Sequence, residues 1–166
     1  MKTVGKFEKI SIEQWEKDFP SYADASQAER IHHAILMPAR ATKGSAGYDF
    51  FSPFSFTLKP GETILVPTGI RASMREDWML AMFPRSGLGF KFRLQLNNTV
   101  GIIDSDYYGA DNEGHIMCKI TNDSREDKEL VIETGQAFVQ GVFLPYGIVE
   151  GDKATERRVG GFGSTR

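Results

Sequence analysis

From about residue 54 onward, short runs of β-branched and aromatic residues alternate with turn signals rich in glycine and proline. Each run suits one strand and is too short for an ordinary helix. Repetition at this spacing favours an all-β fold, a β-sandwich or jelly-roll-like barrel, over parallel strands joined by helices. The strands are predicted at about residues 54–58, 63–66, 78–83, 99–103, 115–121, 130–132 and 137–144.

The first 36 residues follow a different pattern. An apolar stripe at helical spacing begins at Ile12 and ends at Phe19, where Pro20 stops the helix. A capping box places side chains three residues apart so that each bonds to a free backbone N–H group at the start of a helix. Two such pairs occur: Ser11 with Gln14, and Ser26 with Glu29. We therefore expect two short helices, at about residues 12–19 and 25–34, as an elaboration of the β fold.

These patterns divide the chain into an N-terminal segment (1–36), a β-rich core (37–150) and a C-terminal arm (151–166). The arm is charged and then glycine-rich, and it has almost no core-forming residues. Ordering glycine backbone is costly in entropy, so we expect the arm to be mobile unless a ligand holds it.

Composition narrows the classes of function. A chain of 166 residues is enough for one domain, and its net charge of −2 gives no general field that would attract nucleic acid. Cys118 is the only cysteine, which excludes an intrachain disulfide and a cysteine-based zinc site. There is no apolar stretch of signal-peptide length at the N-terminus and no run of about 18 apolar residues. We expect a cytoplasmic protein without nucleic-acid or membrane partners.

Residues 84–89 could hold an anion. The guanidinium of Arg85, the hydroxyl of Ser86 and the amides exposed by Gly87 offer several converging donors at a helix start. Taken in isolation, the segment is better interpreted as a loop whose serine caps a short helix.

Acids follow an apolar run at residues 101–109. In an extended segment Asp104 and Asp106 would lie on one side, and a carboxylate at a strand end can act as a base or hold a metal. By itself, the segment is more readily a turn with two solvated acids. His115, a lone histidine beside a strand, is expected to be a hydrogen-bonded structural residue and not a ligand.

Five segments, in this order, resemble the five motifs of the trimeric deoxyuridine triphosphatases. They are residues 46–49, 84–89, 101–109, 135–141 and 157–165, and the resemblance runs from about Met37 to the C-terminus. It implies hydrolysis of dUTP to dUMP and pyrophosphate, which keeps uracil out of DNA and supplies dUMP for thymidylate synthesis. It also implies Mg²⁺ as cofactor and a homotrimer whose sites are shared between subunits.

The resemblance also implies individual roles around the nucleoside. Asp104 matches the acid that orients the attacking water, and Asp106 a supporting acid. Tyr107 matches the ring that packs under deoxyribose and leaves no room for a 2′-hydroxyl. Asn98 matches the side chain that reads uracil beside the backbone of a narrow hairpin. In this chain, the hairpin residues are Gly101 and Ile103.

The remaining matches concern the triphosphate. Arg85, Ser86 and Gly87 match the phosphate-binding motif, and Asp49 and Gln140 match groups that contact metal-bound water. The arm residues would close over the substrate of a neighbouring subunit, with an aromatic ring on uracil and the other groups on the phosphates. These are Phe162 for the ring, and Arg157, Gly163, Ser164 and Thr165 for the rest.

Two alternatives stay open. A dCTP deaminase of the same fold needs an acid near the base, typically on the strand after the hairpin, and residues 115–119 carry none. A non-catalytic regulatory trimer that binds dUTP is the second alternative, and the presence of Asp104 and of a full arm counts against it.

Overall fold

The computed structural model describes residues 2–156 and 160, and strands dominate it. The strands are β1 (Gly5–Lys9), β2 (Tyr48–Phe51), β3 (Phe56–Leu58), β4 (Thr63–Pro67), β5 (Ile70–Met74), β6 (Trp78–Pro84), β7 (Leu94–Leu96), β8 (Gly101–Ile103), β9 (Met117–Asn122), β10 (Leu130–Ile132) and β11 (Ala137–Pro145). The helices are α1 (Ile12–Lys17), α2 (Ala28–Ala34) and α3 (Ser86–Phe92), with 3-10 turns at Ala25–Gln27 and Ser105–Gly109. The prediction of an all-β fold is confirmed.

Antiparallel pairing builds the sheets of the described residues. The largest has the order β2-β11-β6-β8, a second has the order β4-β9-β7, and β1-β5 and β3-β10 form two-stranded sheets. β9 shows how the sequence dictates this packing, since Cys118 and Ile120 are buried while Lys119 between them is exposed. Period-two alternation of this kind buries one face of a strand.

The N-terminal segment shares the core of the rest of the chain. Trp15 is fully buried, stacks on Phe54 at 5.8 Å between ring centroids, and donates its indole N–H to the carbonyl of Ala28 at 2.9 Å. β1, which the sequence pattern did not predict, pairs with β5 and places Phe7 opposite Ala72. One large apolar residue among lysines and glutamate is too weak a pattern to reveal this strand. None of the described helices is long and apolar enough to cross a membrane.

The helix starts differ in part from the expected capping boxes. Ser11 caps α1 by accepting a hydrogen bond from the N–H of Gln14 at 3.1 Å, as expected. The reciprocal bond is absent among the described contacts, because the carboxylate of Glu113 takes the N–H of Ser11 at 2.8 Å. The second predicted capping box, Ser26 with Glu29, is wrong. The side chain of Asp24 accepts a hydrogen bond from the N–H of Ser26, and α2 begins later, at Ala28.

The strand predictions hold with shifted ends, but four strands were not predicted: β1, β2, β5 and β7. Residues 54–55, 99–100 and 115–116 precede β3, β8 and β9 and are not part of them. The four missed strands are only 3 to 5 residues long, and their pairing with distant strands stabilises them more than their own sequence does.

Candidate active site

One group of expected site residues meets at one end of the largest sheet. β11 places Gln140 directly opposite Asp49 on β2 and Phe83 on β6. Arg85 follows β6 at once, and its Nε lies 3.1 Å from Oδ1 of Asp49. The amide of Gln140 donates to the carbonyl of Pro84 at 3.3 Å. Strand pairing therefore joins a guanidinium, a carboxylate and an amide that lie far apart in sequence.

Gly47 makes room for this group. A Cβ at position 47 would be 2.4 Å from Oε1 of Gln140, closer than real Cβ atoms approach other heavy atoms. A register shift in β11 between Ala137 and Val139, a β-bulge, lies just before Gln140. Bulges re-aim the side chains that follow them, so both features set where the amide points.

α3 begins beside Arg85. The expectation that Ser86 caps this helix is wrong, because Arg85 occupies the cap position without a side-chain cap bond and Ser86 is the first helical residue. Ser86 and Gly87 are exposed. The first N–H groups of a helix have no partner within it, so this end offers donors for an anion.

The second group lies on the turn between β7 and β8. Thr99 donates its N–H to the carbonyl of Leu96 at 2.8 Å, and Val100 donates to that of Asn98 at 2.7 Å. Thr99 adopts a φ of 67°, a costly conformation for a β-branched residue, so the neighbouring structure must hold this turn in place.

This turn borders a pocket of about 380 Å³ with mainly apolar walls. Asn98, Gly101 and Ile103 line this pocket, and all three are expected to surround the uracil base. Sequence reasoning missed the rest of the lining: Leu65, Met82, Leu96, Asn97, Met117, Cys118 and Lys119. Strand alternation marks several of them as core residues, but only strand pairing brings them together. Burial raises the pKa of Cys118 to about 12, so this thiol is no nucleophile near neutral pH.

Asp104 and Tyr107 come directly after β8. Asp104 is half-buried and precedes the 3-10 turn Ser105–Gly109, which contains Asp106 and Tyr107. The extended segment that would have put the two acids on one side is therefore not present. Tyr107 is only 4% exposed, and its hydroxyl donates to the carbonyl of His115 at 2.8 Å.

His115 is a hydrogen-bonded core residue, as the sequence suggested. The N–H of Gly69 donates to Nε2 at 2.9 Å, so the ring proton belongs on Nδ1, which lies 2.6 Å from Oδ2 of Asp18. Burial alone would raise the pKa of Asp18, but hydrogen bonds from His115 and Gln14 outweigh it and lower that pKa.

The two groups are far apart within one chain. Asp49 and Ile103 lie three strands apart across the β2-β11-β6-β8 sheet, and the register offsets them by three residues, from Phe83 to Leu80 on β6. Standard strand spacings convert this offset to roughly 17 Å between their Cα atoms. Asp104 follows Ile103, so in one chain it does not reach the Asp49–Arg85 pair.

A metal would find few protein ligands here. Among residues 2–156 and 160, no group of three or more His, Cys, Asp or Glu side chains could hold an ion. Asp49 and Gln140 do supply oxygen atoms of the kind that Mg²⁺ prefers, and Mg²⁺ commonly keeps several waters and uses substrate phosphates as further ligands. The pair fits contact with metal-bound water.

The arm residues Arg157, Phe162, Gly163, Ser164 and Thr165 lie outside the described residues.

Comparisons with known proteins match this description. The dUTPase family model matches residues 33–166. The deoxyuridine 5′-triphosphate nucleotidohydrolase of Lactococcus lactis subsp. lactis is 46% identical over 134 residues, covering 79% of this chain and 88% of that protein. The crystal structure of dUTPase from Streptococcus mutans superposes with a TM-score of 0.66 at 36% identity, covering 87% of this chain and 98% of the other. The dUTPase of Staphylococcus aureus phage phi11, described with a structural Mg(II) ion, is 25% identical with a TM-score of 0.59, covering 73% and 90%.

Fold, site and relatives thus define an enzyme that hydrolyses a nucleoside triphosphate. The chain belongs to the dUTPase family and hydrolyses dUTP to dUMP and pyrophosphate. The deaminase and the non-catalytic alternatives are not favoured by these relatives.

Proposed function

We propose that this chain forms a cytoplasmic homotrimer, and that dUTP is hydrolysed in sites that its copies complete together. The observation that carries this proposal is the strand order and register, which place Asp49 and Ile103 roughly 17 Å apart at standard strand spacings. A base for the attacking water and the groups around a metal-bound triphosphate must act on one substrate. The Asp104 end of one subunit and the Asp49–Arg85 end of another can do so if the subunits pack edge to edge.

Asp104 is the base in this proposal. Its carboxylate orients a water and accepts a proton as the water oxygen bonds to phosphorus and the P–O bond between the α- and β-phosphates breaks. Pyrophosphate leaves, and dUMP keeps the new P–O bond. Transfer of this kind needs no covalent nucleophile, since positioning and charge stabilisation supply most of the catalysis.

Arg85 and the start of α3 bind phosphate oxygens. The guanidinium is 43% exposed and contacts Asp49, so it can exchange this carboxylate for an anionic substrate. Mg²⁺ on the triphosphate would offset its negative charge, and the oxygens of Asp49 and Gln140 would contact the waters of that ion. The phi11 relative is described with a structural Mg(II) ion, which is consistent with Mg²⁺ as cofactor.

The β7–β8 turn selects the nucleoside. Asn98 bonds to the polar edge of uracil, while the hairpin backbone at Gly101 and Ile103 leaves no room for the methyl group of thymine. Tyr107 packs under deoxyribose and excludes a 2′-hydroxyl by contact. The arm of a neighbouring subunit closes the site, with Phe162 on the base and Arg157, Gly163, Ser164 and Thr165 at the phosphates.

Pyrophosphate release across the common nucleoside triphosphates and dUTP, with and without Mg²⁺, tests the proposal. We expect turnover confined to dUTP and dependent on Mg²⁺, and a sedimentation mass of three chains. Turnover of dCTP with ammonia release would favour the deaminase, and tight dUTP binding without turnover would favour a regulator. A fully active monomer would disprove the shared site.

A further inference from the structure

The N-terminal segment contacts the loop after Asp104 at three points. The hydroxyl of Tyr108 donates to the carboxylate of Glu8, and Ser11 bonds to Glu113 through its N–H at 2.8 Å and its hydroxyl at 2.5 Å. Asp18 meets His115, as described above. All three N-terminal residues precede residue 33, where the match to the family model begins. This part of the chain is therefore packed against the segment that follows Asp104 and contains Tyr107.

A continuous series of hydrogen bonds runs from α1 to Tyr107. Asp18, at the C-cap of α1, accepts from Nδ1 of His115 at 2.6 Å. The carbonyl of the same His115 accepts from the Tyr107 hydroxyl at 2.8 Å, and Asn112 donates its amide to that hydroxyl, also at 2.8 Å. The ring of Tyr107 cannot shift without breaking bonds at its only polar atom.

Besides its bond to Asp18, His115 is held in place by its burial and by its other contacts. Its side chain is fully buried and its second ring nitrogen holds the N–H of Gly69. Gly114, the preceding residue, lies so close to the Tyr107 backbone that a Cβ there would be 2.6 Å from the Tyr107 carbonyl oxygen. Loss of the Asp18 carboxylate would leave the buried Nδ1–H without its acceptor, and such a group must move to find another.

We propose that Asp18 is a positioning residue for sugar selection, acting through His115 to hold Tyr107 where its ring excludes a 2′-hydroxyl. The proposal rests on the role assigned to Tyr107 above. Exclusion by contact depends on where the ring lies, because a shift of the order of 1 Å opens space for one hydroxyl. The N-terminal segment would thereby contribute to the discrimination between dUTP and UTP.

The readout is the ratio of kcat/KM for dUTP to kcat/KM for UTP in the full-length enzyme. This ratio does not depend on the fraction of active enzyme, so simple destabilisation leaves it unchanged. We expect Asp18→Ala to lower it by about fivefold or more, mainly through faster UTP turnover. Asp18→Asn keeps an oxygen acceptor for His115 and should retain most of the discrimination. Ile132→Ala creates a cavity in β10, away from the site, and should lower stability with the ratio intact.

Two further variants separate this inference from the role of Tyr107 itself. Tyr107→Phe removes both hydrogen bonds of the hydroxyl but keeps the ring, so it should lower the kcat/KM ratio about as much as Asp18→Ala does. Tyr107→Leu removes the ring and should abolish most discrimination. If Tyr107→Leu leaves the ratio unchanged, the role of Tyr107 is wrong. If Tyr107→Leu lowers the ratio while Asp18→Ala and Tyr107→Phe do not, the positioning role of Asp18 is overturned and that of Tyr107 stands.

Discussion

The amide of Gln140 occupies the space that a side chain at Gly47 would need, with Oε1 only 2.4 Å from the position of a Cβ. Gln140 also lies opposite Asp49, which contacts Arg85. A methyl group at position 47 must therefore push the amide away or move the start of β2. Either movement disturbs the group that we assign to the triphosphate and its metal.

Gly47→Ala should lower turnover of dUTP by roughly 10-fold or more, because a displacement near 1 Å in positioning groups has large effects on rate. Gly44→Ala is the matched control, since no atom lies within 4 Å of a Cβ there, and it should behave like the wild type. Steady-state pyrophosphate release at saturating Mg²⁺ measures both. Equal rates for the two variants would mean that the position of Gln140 is unimportant for catalysis.

Asp104→Asn keeps the size of the side chain and removes its basicity. We expect turnover to fall by roughly 10²-fold or more while dUTP still binds, because a general base acts on the chemical step. Calorimetric binding and pyrophosphate release separate the two effects. Asp106→Asn, at an exposed position in the following 3-10 turn, should have a smaller effect. Near wild-type turnover by Asp104→Asn would exclude Asp104 as the base.

The arm is expected to serve a neighbouring subunit. A chain that ends at Val159 loses none of the described strands, so it should fold and assemble while its turnover falls sharply. Mixing it with full-length Asp104→Asn should restore part of the activity, because some hetero-trimer sites then combine an intact Asp104 with an intact arm.

Subunit exchange in that mixture must be verified, for example with one chain carrying an affinity tag. A truncated enzyme as active as the full chain would exclude a role for the arm. Exchange without any rescue would place the arm on the site of its own subunit.

Glu113 links the N-terminal segment to the pH dependence of stability. Burial would raise the pKa of Glu113, but hydrogen bonds from the side chain and backbone of Ser11 outweigh it, so the pKa lies below the ordinary value of 4.5. A carboxyl with a lowered folded-state pKa stabilises the fold above its unfolded-state pKa, and this contribution is lost as pH falls through the folded-state value. Glu113→Gln should thus cost about 1 kcal/mol near pH 7, comparable to the loss of a helix cap, and progressively less below pH 4.5.

Urea unfolding at matched chain concentration measures this difference, with the exposed Glu129→Gln as control. A gap between Glu113→Gln and wild type that stays constant from neutral to acidic pH would contradict the assignment.

Local signals in the sequence determined much of the fold. Ser11 caps α1 because a hydroxyl before a helical stripe meets the free N–H groups of the first turn, whatever the rest of the chain does. The alternation in β9 requires one buried face in any β fold. The five motifs were enough to indicate the family and its reaction, because they occur in this chain in the same order as in the deoxyuridine triphosphatases.

Only the tertiary structure decided which distant groups meet. Glu113 replaces Gln14 at the N–H of Ser11, Asp18 pairs with His115, and β1 joins β5, although nothing local in the sequence specifies these partners. The separation of Asp104 from the Asp49–Arg85 pair likewise follows from strand order and register. Pairing between strands depends on packing over the whole core, and a linear pattern records which face a residue presents but not which strand will lie beside it.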